Sequence, residues 1–409
     1  MSNQQKNIFH LLFIFFLVIF LLQSNFIFNF LGKTSELFSD FQTSINWLEC
    51  HYFGGDLFTT DKIDCGAGRQ TGALHYGYAF LSIPYNETLG FFYRTYVPYI
   101  IIFLFIYLTI KIINPRNKIE IVLLYLALLN PSSMIILERL NLDVLVYIIA
   151  ILIIYNRIYI VNWFLIIYLT FIKIYPIALL ISVLIENKKR SVKKLLLIIL
   201  FLATVSFVYL YIYKEFYIFM IENVGTNKSG FHFLFSLNSM PKIFNYIFGI
   251  KYQILLIVFY TLFIFVSYKF YKKINLTKKF LKSEIYTYDS KLFIIGGYLS
   301  LFVFIVTSNW LYKEVFLILL IPYILKIKNK YRDPLFNMLI YIFIVKYLYL
   351  FLYAYINFHD GTTYVDEQRI FANKFLLIIS LKSIFDFMLM SIIAAILYMK
   401  TKIYIKNKY

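Results

Sequence analysis

The sequence predicts an all-α polytopic membrane protein with about eleven or twelve transmembrane helices, and three observations carry that prediction. Of 409 residues, 61% are hydrophobic and only 15% are charged, against about 25% charged in a soluble domain. Apolar stretches recur from end to end, each long enough for a helix to cross the roughly 30 Å of bilayer hydrocarbon. The stretches are continuously apolar, without the period of two that a β-barrel strand requires. Lipid offers no partner for an unpaired amide, so such stretches must be helical. A soluble enzyme is excluded.

In order, the first span runs from about Phe9 to Leu31. It is too long for a cleaved signal and has no small-residue cleavage site, so it reads as an anchor. A polar segment, 32–94, follows as the first extracytoplasmic loop. Further spans are expected near 95–113, 119–137, 142–155, 194–213, 252–271, 291–307, 315–327, 335–356 and 373–399. The stretch from Ile158 to Ile185 reads as two short helices broken at Tyr175-Pro176, because proline lacks the helical donor and pushes its predecessor out of the α region. That break keeps Lys188, Lys189, Arg190, Lys193 and Lys194 in the cytoplasm, as the positive-inside rule prefers. Both termini are then cytoplasmic. Segment 214–250 is a second extracytoplasmic loop, and residues 1–409 form a single integral membrane domain.

The formal charge of +19 looks like a nucleic-acid footprint until the spans are drawn. The Lys/Arg excess falls almost wholly on the cytoplasmic side, and the outer segments come out near neutral. The basic balance is therefore topology, suited to an anionic inner leaflet. The expected location is the cell membrane, and no nucleic-acid partner is expected.

Polar residues near spans are costly and often functional. Three clusters fall on the outer side. The first loop carries Glu36, Asp40, Glu49, Asp56, Asp61 and Asp64, with Trp47, Tyr52, His75 and Tyr76 suited either to stack on a sugar ring or to sit in the membrane interface. A carboxylate there is a candidate general base, and Asp40 stands out because it follows the span closely, beside Phe41. A solvated acidic loop is the plainer alternative. The second cluster, Glu138, Arg139, Asn141 and Asp143, sits in a turn bracketed by apolar helices. Substrate contact competes there with a structural role in which Glu138 and Arg139 satisfy each other and Asp143 caps the next helix. The third is Lys173, just before the helix break, which binds a phosphate as a point charge or snorkels to the interface.

Cys50 and Cys65 share the first loop. An oxidising outer compartment permits a disulfide between them, with two free thiols as the alternative. His232 and His359 are isolated, and no metal-ligand spacing is expected. Lys346 and the pair Lys382/Asp386 lie inside spans. The pair is four apart on one helix face, so mutual neutralisation is the simpler account.

The order of these motifs resembles polytopic glycosyltransferases of the GT-C type, in particular the branch similar to polyprenol-phosphate-mannose-dependent mannosyltransferases of bacterial envelopes. The matching residues are Glu138, Arg139, Asn141 and Asp143, then Lys173, Tyr175 and Pro176, then Tyr312, Lys313 and Pro322. A loop pattern of Asp40, Trp47, Cys50, Gly55-Asp56, Asp64-Cys65 and Tyr76-Gly77 adds to the resemblance, which covers about residues 35 to 325. Two positions depart from the family. Leu140 stands where it usually has Gly, and Lys313 where it usually has Arg, which loses bidentate phosphate recognition.

The resemblance implies a GT-C-like fold and a hexosyltransferase of mannosyltransferase type acting at the outer face. It implies a polyprenyl-phosphate sugar as donor, a glycan, glycolipid or protein hydroxyl as acceptor, and no cofactor. Asp40 would be the catalytic base of an inverting transfer. Arg139, Lys173, Lys313 and Arg369 would hold the donor phosphate. Two other functions compete. A lipid-linked sugar flippase would show two matching halves with paired broken helices, and one break is visible here. A surface-polysaccharide polymerase or ligase would concentrate function in a large late outer loop, and here the largest comes first.

Overall fold

The computed structural model describes residues 3–24, 37–54, 78–156, 158–173, 175–180, 234–274, 287–306, 309–359, 362–365, 368–371 and 373–406, with short helical pieces between 200 and 214. The described chain is helical almost throughout. Two short antiparallel ladders accompany the helices. Strand β1 (Leu234–Phe235) pairs with β2 (Asn309–Trp310), and β3 (Thr362–Val365) pairs with β4 (Gln368–Phe371).

Among the described residues, five helices are long and apolar enough to cross a membrane, or seven if two bent pairs each count as one span. The chain is thus a helical membrane-spanning protein. The helix Asp143–Tyr155 matches the span expected at 142–155, and Tyr159–Ile172 is the first of the two short helices expected after it; they are 13 and 14 residues long. One expected span takes a different form. The stretch 315–327 is divided between a 3-10 segment, Leu311–Leu320, and the helix Ile321–Tyr331, with Pro322 at the junction. The expected break at Tyr175-Pro176 is present. The helix ends at Ile172, Lys173 is extended, and a 3-10 turn runs from Tyr175 to Leu179. The basic cluster from Lys188 to Lys194 lies outside the described residues.

The chain divides into two compact units. One contains residues 1–35, 104–138 and 229–409, and the other contains 36–103 and 139–228.

In the second of these units, the polar segment after the first span is not an open loop where it is described. Following α1 (Asn3–Gln23), residues Ser39–Tyr52 form helix α2. Its buried face, Phe41, Ser44, Ile45 and Leu48, has helical spacing. Helix α3 (Glu87–Thr95) precedes α4 (Val97–Ile113) with a 43° bend. Here Pro98 lacks the donor for the Arg94 carbonyl, and Gln42 Nε2 of α2 points to that oxygen at 3.4 Å. Arg94 also binds Glu49 and Asn46, the latter at 2.9 Å. Helix α2 is therefore docked on α3 by three polar contacts, all to Arg94. Cys50 is buried and disulfide-bonded; Cys65 lies outside the described residues.

In the first unit, α1 is fastened by a hydrogen bond between His10 Nδ1 and the Tyr125 hydroxyl at 3.0 Å. Helix α5 (Lys118–Leu129) starts on an Asn-x-x-Glu cap. The Asn117 side chain accepts from the Glu120 amide, and Glu120 reaches back to the Arg116 amide at 2.7 Å. Glu120 is buried and also accepts from Asn329 Nδ2 at 2.7 Å, which ties this helix to Ile321–Tyr331. Helix α6 (Pro131–Arg139) continues from α5 with a 42° bend. Pro131 has no N–H for the carbonyl of Ala127. Asn130 Nδ2 and Ser133 Oγ bond that carbonyl instead, at 2.8 and 2.6 Å. A broken helix survives in hydrocarbon only when the freed groups are satisfied again in this way.

Helices α7 (Asp143–Tyr155) and α8 (Tyr159–Ile172) carry the chain through the second unit, and the late helices complete the first. Helix α9 (Ser239–Phe248) lies on α10 (Tyr252–Ile274), and helix α11 (Tyr288–Val306) lies against the 3-10 segment and against α12 (Ile321–Tyr331). Helix α13 (Pro334–His359) packs on α12, and the last helix, α14 (Asn373–Lys406), packs on α10, α11 and α13. Two glycines permit the closest approaches. A Cβ on Gly296 would stand 2.4 Å from the Cβ of Leu319 and 3.1 Å from the Phe316 carbonyl, and one on Gly297 would meet the Leu397 side chain at 2.8 Å.

Gly296→Ala is expected to destabilise the protein by about 1–3 kcal/mol, because the nearest obstacles are a neighbouring Cβ and a backbone carbonyl that cannot rotate away. Thermal unfolding of the purified protein in detergent measures it, and an unchanged transition contradicts the close approach.

Candidate functional site

The second unit gathers six of the expected site residues into one hydrogen-bonded network. Asp40 lies in the first turn of α2, where the helix dipole favours a carboxylate. Arg139 ends α6. Leu140 then turns the chain through the left-handed region, at φ 47°. Asn141 follows, and Asp143 opens α7. Lys173 is the extended residue after α8, and Tyr175 begins the 3-10 turn.

The contacts run as a chain. Arg139 grips Asp40 with two prongs, Nε to Oδ2 at 3.1 Å and Nη2 to Oδ1 at 2.6 Å. Asn141 Nδ2 donates to Asp40 Oδ2 at 2.8 Å, and its Oδ1 accepts from Lys173 Nζ at 2.8 Å. Lys173 is ion-paired with Asp143, whose Oδ1 also accepts the Tyr175 hydroxyl. Asn141 is thus the bridge between two ion pairs. Its amide must be oriented with nitrogen towards Asp40 and oxygen towards Lys173, because a carboxylate only accepts and an ammonium only donates.

Burial is graded along the network. The side chains of Arg139 and Asp40 keep 26% and 17% exposure, whereas Lys173 keeps 12% and Asp143 none. The Asp40–Arg139 end is the accessible one. Of the roughly four lone-pair directions on a carboxylate, Asp40 Oδ2 uses two and Oδ1 uses one for these contacts.

Two structural alternatives from the sequence are corrected. Asp143 does not cap the helix that it opens. No side-chain cap bond is made there, and the Asp143 amide is bonded by Asn141 Oδ1 at 3.2 Å. Lys173 does not snorkel; it is held by Asn141 and Asp143. Arg139 takes Asp40 as its ion-pair partner. The left-handed residue after α6 is the position where glycine is favoured at a helix end. Leu140 occupies it instead, and its side chain is almost fully buried.

The remaining expected residues belong to the first unit. Glu138 is buried near the end of α6. Lys313 lies in the first turn of the 3-10 segment. Tyr312 is in the same turn and Arg369 pairs with Tyr364 in the β3–β4 ladder; their side chains lie outside the described residues, as do Asp56 and Asp64.

Two polar assemblies join residues that are far apart in the sequence. Glu49 reads as one of the loop acids, but it pairs with Arg94. Lys382 and Asp386 pair as expected, but Glu314, just ahead of the span expected at 315–327, joins them and Lys346 in a buried group of four. The presence of Lys346 and Asp386 inside apolar spans is the signal that could have found it. Among the described residues, no group of three His, Cys, Asp or Glu side chains is placed to hold a metal ion.

Leu140 offers a direct test of the local geometry. A left-handed conformation costs a non-glycine residue about 1–2 kcal/mol, while emptying a buried leucine site costs about 2–5 kcal/mol. Burial therefore outweighs strain, and Leu140→Gly is expected to be less stable than the native protein. Leu140→Ala keeps the strain and loses the side chain, so it is expected to be the least stable of the three. Thermal unfolding gives the order; an alanine variant more stable than the glycine variant contradicts the left-handed turn.

No protein-family model, no curated protein and no solved structure matches this chain.

Proposed function

We propose that this protein is a membrane glycosyltransferase of hexosyltransferase type. It transfers a sugar from a polyprenyl-phosphate donor to an acceptor hydroxyl, with inversion, at the extracytoplasmic face of the cell membrane. The observation that supports this reading best is Asp40, a partly exposed carboxylate oriented at both oxygens by Arg139 and Asn141.

In this reading, the acceptor hydroxyl approaches Asp40 Oδ1 and gives up its proton to it. The oxygen forms a bond to the anomeric carbon from the face opposite the phosphate. The bond from that carbon to the phosphate oxygen breaks, and its electron pair leaves with the prenyl phosphate. The leaving group gains negative charge, so nearby fixed cations stabilise the transition state. Arg139 and Lys173 supply that charge within the network. Tyr312, Lys313 and Arg369 take the donor-binding role that the resemblance implies for them. The donor is already activated and dissolved in the membrane, which suits a chain of this composition.

Asp40→Asn tests the reading. It keeps the shape of the side chain and removes the base, so sugar transfer in membranes supplied with prenyl-phosphate sugars is expected to fall by about 10²–10⁴-fold, with the amount of protein in the membrane unchanged. Full transfer by the variant discards Asp40 as the base. No transfer by the native protein from any of several donors favours a lipid-linked sugar flippase instead.

A further inference from the structure

The first unit contains four ionisable side chains that the proposed chemistry leaves unused. Glu314 lies in the 3-10 segment, Lys346 on α13, and Lys382 and Asp386 on α14. Glu314 Oε2 is 2.9 Å from Lys346 Nζ, and Glu314 Oε1 is 3.2 Å from Lys382 Nζ. Lys346 also pairs with Asp386, and Lys382 Nζ lies 2.6 Å from Asp386 Oδ2. Each acid thus meets both lysines, and the group is closed and neutral. All four side chains are at most 3% exposed.

Such a group is a poor way to gain stability. Removing four charges from water costs several kcal/mol for each ion, and apolar residues of similar volume often serve as well or better. What charges add is direction, because a closed set of two acids and two lysines has few arrangements that leave no charge unpaired. The group sits where direction is needed. A 3-10 run of ten residues is unusual, since its hydrogen bonds are poorer than those of an α-helix. The β1–β2 ladder holds the chain immediately before this run, at Asn309–Trp310. Glu314 holds it four residues after the ladder. Phe235 of β1 has its ring 5.7 Å from Lys346 Nζ, so the ladder and the charged group form one assembly. Lys313 lies between these two restraints.

We propose that Glu314, Lys346, Lys382 and Asp386 are positioning residues that fix the first turn of the Leu311–Leu320 segment and thereby set how Lys313 is presented to the phosphate of the lipid-linked donor. The phosphate role of Lys313 rests on the glycosyltransferase reading; the clamp itself does not.

The experiment uses the full-length protein in membranes and two readouts. The first is the rate at which a Lys313→Cys probe reacts with a water-soluble maleimide. The second is KM for a prenyl-phosphate sugar, measured with Lys313 intact. Glu314→Gln leaves two lysines around one aspartate. It is expected to change the labelling rate severalfold and to raise KM for the donor by about tenfold with kcat affected much less, the pattern of lost ground-state positioning. Exchanging all four charges, Glu314→Lys and Asp386→Lys with Lys346→Glu and Lys382→Glu, keeps each acid beside both lysines and is expected to bring both readouts back towards native. If Glu314→Gln does not reach the membrane, the neutral removal Lys382→Met with Asp386→Leu is judged by the same two readouts. Labelling and KM that match native in these variants overturn the clamp. If the native protein transfers no sugar, the transferase reading fails while the labelling rates still decide the clamp.

Discussion

Hydrocarbon cannot hydrogen-bond, and most of the described structure follows from that constraint. A backbone carbonyl or a charged side chain removed from water must find its partner within the protein. The two proline-bent helices show the backbone form of the rule. The Ala127 carbonyl opposite Pro131 is taken by Asn130 and Ser133, and the Arg94 carbonyl opposite Pro98 faces Gln42. The charged side chains show the other form. Glu314, Lys346, Lys382 and Asp386 close on one another, and Asp143 collects Lys173 and Tyr175. In each case one polar group withdrawn from water meets another that also needs a partner.

The same constraint gives the Asp40 network its character. Asp40, Arg139, Asp143 and Lys173 sum to no net charge, and Asn141 links the halves. A network of this kind is rigid because each donor faces an acceptor and a wrong arrangement leaves a buried group unmatched. Rigidity is what catalysis needs from a base and from the groups that steady a leaving phosphate. The gradient in exposure, from buried Asp143 to the more open Asp40 and Arg139, gives the network a buried end and a more accessible one.

Much of this is legible in the sequence, for identifiable reasons. Spans can be drawn because a long, continuously apolar run has little use outside a bilayer, and the break at Tyr175-Pro176 can be placed because proline lacks a donor. The cluster of Arg139, Asn141, Asp143, Lys173 and Tyr175 can be singled out because polar residues between apolar helices are expensive. Other features cannot be read so directly. Helix α2 reads as loop because the surrounding segment is polar, although Phe41, Ile45 and Leu48 already carry the helical period. Glu314 cannot be joined to its partners from sequence because Lys346 and Lys382 are distant along the chain, and only packing brings them together. The 3-10 form of Leu311–Leu320 has no local signal, since its apolar run suits an α-helix equally well.

Asp40 and Arg139, 99 residues apart in the chain, meet in the folded protein, and the whole network hangs on that contact. Cysteine crosslinking in native membranes measures this most directly. With Asp40→Cys and Arg139→Cys in one chain, mild oxidation followed by mass spectrometry of the peptides is predicted to show a link between positions 40 and 139, formed faster than between 40 and an exposed position on α7 such as Leu152. Absence of the 40–139 link under conditions where the protein is intact and both cysteines react with a small thiol reagent would contradict it.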